Sequence, residues 1–197
     1  MKTVEVYKGV NAIEARSASA WRKWLERNHD KETSVWLIIY KKESGHASVY
    51  YPEAVDEALC FGWVDSKINK RDDHSYYQYF AKRNPKSNWS KVNKKKVEIL
   101  LDAGKMAPSG LTMIDLAKKT GTWNALDQVE ALVVPPDMMI LFSENKTALT
   151  NWEKFPRSVK KGILEWIMNA KQAETRKKRI REAVDKAEQN IKVLFDA

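Results

Sequence analysis

The chain has 197 residues, 43% hydrophobic and 31% charged, with eight Trp, which is enough apolar material for a folded core and excludes both a disordered tail and a fibrous repeat. Lys and Arg number 35 against 26 Asp and Glu, a net charge of +9 that biases the surface towards polyanions. One cysteine, Cys60, and three His exclude an internal disulfide and leave no recognisable zinc set, so no metal and no cofactor is expected.

No stretch approaches the roughly 20 apolar residues that cross a bilayer. Residues 1–10 alternate charge with apolar side chains and lack the apolar stretch of a secretory signal, so a cytoplasmic address is expected. Ser17 or Ser19 caps a first helix with Trp21, Trp24 and Leu25 at helical spacing, ending near Asn28. Residues 34–42, β-branched and aromatic, read as a strand covered on both faces. Pro52 opens a second helix that Gly62 closes, with Ala54, Val55, Ala58 and Leu59 inward. Residues 63–70 and 75–80 form a hairpin around the turn Arg71-Asp72-Asp73-His74. Ser87 is expected to cap a helix that stops at Gly104, and Pro108 to start another that stops at Gly121. Pro135-Pro136 then punctuates the chain. Beyond it only helices are expected, with a break between Ala170 and Thr175, because the stripe Ile163, Trp166, Ile167, Ala170 and the stripe Ile180, Ala183, Val184, Ala187, Ile191 do not align on one straight helix. The expected architecture is α+β: a mixed domain with a short sheet over residues 1–130, then an all-helical domain over 131–197.

Polar and aromatic residues interleave most densely from Ala58 to Asn93. On a strand starting at Trp63, Trp63 and Asp65 share a face. On a helix after Ser87, Asn93 falls on the side to be buried, between Trp89 and Val97, and needs a partner there. Taken singly, Asp65 and Asn93 read as structural, satisfying backbone groups in the core. Taken together, Trp63, Asp65, Arg83, Ser87, Trp89, Ser90 and Asn93 suggest a pocket in which a helix N-terminus, its hydroxyls and a guanidinium hold a phosphate or carboxylate. Arg176 projects onto the buried stripe of the last helix, so it is either ion-paired, with Glu174 or Asp65, or directed into that pocket.

Cys60, at a helix C-terminus beside Glu53, Asp56 and Glu57, reads as a buried hydrophobe with a raised pKa rather than a nucleophile. There is no G-x-S-x-G, G-x-G-x-x-G, G-x-x-x-x-G-K-[ST] or H-E-x-x-H, which disfavours serine hydrolases, nucleotide-dependent dehydrogenases, P-loop ATPases and zinc enzymes. Asp72-Asp73 reads as turn-forming. Two basic runs, residues 82–96 with seven Lys or Arg and no acid, and residues 176–181, read as solvated faces or as contacts for nucleic acid. An enzyme with Asp65 as general base is a third alternative, and a protein partner leaves no readable signature.

The runs Trp36 with Tyr40-Lys41-Lys42, Tyr51 with Glu53-Ala54, Glu57 through Ser66, Arg83, Ser87, Trp89-Ser90, Asn93, Gly104, Met106, Gly110, Trp123, Trp166-Ile167, Ala170-Lys171, Glu174-Thr175-Arg176 and Arg179-Ile180 resemble the YdeI/OmpD-associated family of bacterial proteins, also called bacteriocin-protection proteins. Ala81-Lys82 departs from the Thr-Pro that the family commonly has before Arg83, and Val64 from its usual Ile. The resemblance implies a bacterial cytoplasmic protein connected with stress or bacteriocin tolerance. It carries no catalytic residues over to this sequence.

Overall fold

The computed structural model describes residues 3–192, and the chain divides between Asn124 and Ala125 into two compact units. The N-terminal unit is built on a five-stranded sheet in the order β1-β2-β3-β5-β4. The edge hairpin, β1 (Thr3–Tyr7) and β2 (Val10–Glu14), was not expected from the sequence. It turns at Lys8 and Gly9, both with positive φ (48° and 77°), the backbone that a two-residue hairpin loop demands.

Helix α1 (Ala18–Asn28) then carries the chain to β3 (Ser34–Tyr40), which lies parallel to β2. Ser17 caps α1 by accepting the Ala20 amide at 3.2 Å. Residues 35–39 of β3 are all buried, as the uninterrupted apolar run predicts. One sheet face, with Val35, Leu37, Ile39 and Phe80, packs with Trp21, Leu25 and the apolar side of α2 (Tyr51–Cys60). The other carries Ala12, Trp36, Ile38 and Tyr77, flanked by Tyr7, Tyr40 and Tyr79. Arg22 of α1 donates to Glu57 of α2 at 2.8 Å, pinning the two helices together.

Helix α2 ends where Gly62 takes φ +74°, and the chain enters the hairpin β4 (Trp63–Lys70) and β5 (Ser75–Lys82). Asp72 makes the turn by accepting the amides of His74 and Ser75 at 2.8 and 2.7 Å, which also holds its carboxyl below the ordinary value. Strand β5 runs to Lys82, although Ala81-Lys82 replaces the family's Thr-Pro.

The helix expected to start at Ser87 begins four residues later, as α3 (Lys91–Asp102), with Ser90 as its cap. Ser87 instead closes a turn, its amide and hydroxyl both bonding the Asn84 carbonyl at 2.9 and 2.7 Å. Pro85 at the second position favours that turn, which occupies the Ser87 amide and hydroxyl and leaves the cap to Ser90. Helix α4 (Pro108–Thr120) closes the unit, with Gly121 at φ +79° after its last turn. Within α4, Gly110 lies so close to α2 that a Cβ there would sit 2.2 Å from the Cys60 carbonyl oxygen.

The C-terminal unit contains a short α5 (Asp127–Glu130), α6 (Pro136–Glu144), α7 (Lys146–Lys154), α8 (Arg157–Met168) and α9 (Ala173–Glu188). The expected break falls between Met168 and Ala173. Ile163 and Ile167 of α8 join Ile180, Ala183, Val184 and Ala187 of α9 in one core with Met138, Phe142 and Trp152. An α+β unit followed by a helical one is the observed class.

Candidate functional site

Arg83 is the first residue after β5, and its amide donates to the Gly62 carbonyl at 3.0 Å, so the hairpin and the end of α2 fix its backbone together. Its side chain turns inward and is 6% exposed. Nη2 donates to the Asn88 carbonyl at 2.6 Å, and the guanidinium lies 3.9 Å from the Trp89 ring centroid. Nε is buried with no hydrogen-bond partner, and among the described residues no carboxylate pairs with the group. Burial alone pushes its pKa down to about 10, because a guanidinium out of water loses solvation that no counter-charge replaces.

The surroundings add positive charge. Trp89 packs against Trp123 at 5.0 Å between ring centroids, and the Lys94 and Lys118 ammoniums lie 5.7 and 5.6 Å from the Trp123 ring. Ser90 follows directly as the cap of α3, accepting the Asn93 amide at 3.2 Å, while the Lys91 and Val92 amides head the helix. Arg83 and Trp89 are thus in contact, Ser90 and half-buried Asn93 stand in the first turn of the helix that follows Trp89, and Ser87 lies in the preceding turn.

Asp65 lies elsewhere on the hairpin. Register pairs it with Phe80, three residues before Arg83, or about 10 Å of extended strand. Between Asp65 and Ile68 the pairing slips, three steps on β4 spanning two on β5 (Phe80 to Gln78), and this bulge opens a cleft of about 280 Å3. Tyr51, Asp65, Ser66, Ile68, Tyr76 and Gln78 line it. The Tyr51 hydroxyl donates to Asp65 at 2.7 Å, and burial with this carboxylate pushes the phenol up to about 12. Nothing in the sequence pattern joins Tyr51, Tyr76 and Gln78 to Asp65, since the bulge sets the register of β5 against β4 and Tyr51 arrives from the start of α2.

Trp63 is fully buried, with its ring 5.8 Å from Trp24 and its Nε1 lacking a partner. Arg176 is ion-paired in the C-terminal unit, but to neither of the expected partners: Nε and Nη2 grip Asp137 of α6 at 2.8 and 2.9 Å, and Glu174 bonds Lys177 instead. The partner is thus an acid in the first turn of α6, not one of α9 itself.

The basic runs are partly engaged. Lys82 donates to the Asp30 carbonyl and Lys96 pairs with Asp56, while Arg179 bonds the Trp166 carbonyl and lies over that ring. The Cys60 thiol is buried, and burial followed by the nearby Glu57 charge pushes its pKa up. Among the described residues no cluster of three or more His, Cys, Asp or Glu is placed to hold a metal, and no helix is long and apolar enough to cross a membrane.

No curated protein and no solved structure matches the chain. Two families do, one for each half of the molecule. Residues 131–190 match the family described as Bacteriocin-protection, YdeI or OmpD-Associated. Residues 13–113, more than half of the 197, match a Domain of unknown function (DUF8412), a span that includes Asp65, Arg83 and Trp89 but not Lys118 or Trp123. The chain thus belongs to the family of that domain of unknown function, and the segment after it is similar to the Bacteriocin-protection, YdeI or OmpD-Associated family.

Proposed function

We propose that this is a cytoplasmic protein whose N-terminal unit binds a small anionic ligand, bearing phosphate or carboxylate, at the head of α3. One observation carries the reading: Arg83 is a buried cation with an unpartnered Nε and no ion pair among the described residues. The Asn88 carbonyl and the Trp89 ring offset its burial but bring no opposite charge, and a chain that needs the position only for packing does as well with an apolar side chain of the same size. An oxyanion drawn to the guanidinium supplies the counter-charge and an acceptor for Nε.

In this arrangement Arg83 supplies the charge. The Ser90 hydroxyl and the leading amides of α3 add donors, Trp89 forms an apolar wall, and Asn93 orients the rest of the ligand, while the Ser87 hydroxyl is committed to the Asn84 carbonyl and Trp63 packs on Trp24. Asp65 and Arg176 are engaged with Tyr51 and Asp137 and stand outside this set. The description of the C-terminal family supports a role for such binding in bacteriocin tolerance.

The test is thermal melting of the full chain with millimolar inorganic phosphate, citrate and glucose 6-phosphate, compared with an Arg83→Gln variant. At least one of the three is expected to raise Tm in the parent and to leave the variant unmoved. A parent indifferent to all three, or a variant that responds as the parent does, defeats the reading.

A further inference from the structure

A second cavity, of about 420 Å3, opens between α1 and β2 and shares no residue with the head of α3. One helical stripe lines it, Lys23, Trp24, Arg27 and Asn28, continued by Lys31 and Glu32 in the connection to β3. Three features of this stripe point to a ligand.

First, Lys23 and Arg27 are like charges four residues apart on α1, a spacing that weakens a helix, and Lys31 adds a third cation in the turn that follows. None of the three has an ion pair among the described residues, although an acid is at hand on the same helix: Glu26 is bonded by Arg22 at 3.4 Å instead. Second, three cations against the one acid Glu32 leave the cavity at +2, the complement of a phosphomonoester, whose second pKa of about 6 makes it a dianion at neutral pH. Third, the half-buried Trp24 gives the same cavity an apolar ring surface, while Asn28, whose amide nitrogen donates to the Trp24 carbonyl at 2.7 Å, keeps its side-chain oxygen for an incoming donor.

We infer that this groove is a binding site for a mononucleotide. The phosphate sits among Lys23, Arg27 and Lys31, the base lies against Trp24, and Asn28 and Glu32 accept from the base or sugar. A free phosphate uses only the first of these, and a nucleoside only the last two, so neither alone fills the site. The volume is in the range of small-molecule sites.

Calorimetric titration of the full chain with AMP, GMP, CMP and UMP, each alongside its nucleoside and inorganic phosphate, tests this. At least one mononucleotide is expected to bind about tenfold or more tightly than both its nucleoside and phosphate. Lys23→Gln with Arg27→Gln is expected to weaken it by about tenfold or more, as is Lys31→Gln alone by a smaller factor, whereas Lys119→Gln, a distant exposed cation, leaves it unchanged. The altered side chains are exposed, and melting curves confirm that each variant is folded. No heat from any of the four nucleotides, phosphate binding as tightly as the nucleotide, or binding indifferent to the loss of Lys23, Arg27 and Lys31 overturns the assignment.

Discussion

Replacing Arg83 by Met separates stability from function in a way that few substitutions do. The fall of the guanidinium pKa to about 10, at about 1.4 kcal/mol for each tenfold step, puts the burial cost on its charged form at about 3 kcal/mol. Two contacts oppose that cost. A charged donor on the Asn88 carbonyl contributes about 1.5–3 kcal/mol, and the stack on Trp89 about 1–2 kcal/mol. The terms cancel to within about 2 kcal/mol, and Met fills most of the space. Arg83→Met is therefore expected to cost no more than about 2 kcal/mol of urea-unfolding free energy, against the loss of about 3–5 kcal/mol that follows when one partner of a buried ion pair is removed. The pH dependence has a definite sign. Because the folded pKa is depressed, the cost is fully present at neutral pH and is relieved only as pH rises through about 10, where the native state releases its proton first. In the same variant, stabilisation by phosphate or citrate should vanish. A loss of more than about 3 kcal/mol would mean that the guanidinium does have a counter-charge, and a Met variant still stabilised by the anion would mean that it is not the binding group.

Other outcomes follow from the same geometry. Gly110→Ala should cost about 2 kcal/mol by chemical denaturation, since a Cβ placed 2.2 Å from the Cys60 carbonyl oxygen forces α4 away from α2, an overpacking penalty of about 3 kcal/mol that the better helix propensity of Ala offsets by about 1. A neutral or stabilising result would contradict that contact. Ser90→Ala should lose about 1 kcal/mol, as the true cap of α3, and Ser87→Ala less; the reverse order would return the cap to Ser87. Glu5 accepts from the Tyr77 hydroxyl and from Arg71, which hold its carboxyl below the ordinary 4.5. Its contribution is full above pH 4.5 and is lost as pH falls towards the lowered folded value, so Glu5→Gln should flatten the acid limb of the stability curve there and leave its neutral shape alone.

What could be read in advance follows from how local each feature is. Strand β3, helix α2 and the β4–β5 hairpin each carry their own signal in an apolar run, a Pro-to-Gly frame or a turn flanked by aromatic residues. The β1–β2 edge does not. Its strands are five residues each, and the Lys8-Gly9 turn lacks the Asn or Asp that ordinarily marks a hairpin. Ser87 and Ser90 both satisfy the pattern of a cap, and only the Asn84-Pro85 turn decides between them. The contact of Arg83 with Trp89 is local, because only five residues separate them around that turn. The Asp65 cleft was not, because a bulge in β4 chooses which side chains of β5 it faces. The cations of α1 stand at helical spacing in the sequence, but the cavity needs β2 as its second wall, and that wall is tertiary.

The claim that the Arg83 guanidinium is a buried cation awaiting an anion is tested most directly by following its side-chain Nε–H resonance in 1H–15N spectra, assigned with Arg83→Met, while inorganic phosphate and then citrate are added. The account predicts a saturable shift of that resonance with at least one anion, as the orphaned Nε gains an acceptor. A resonance that stays in place through both titrations would contradict it.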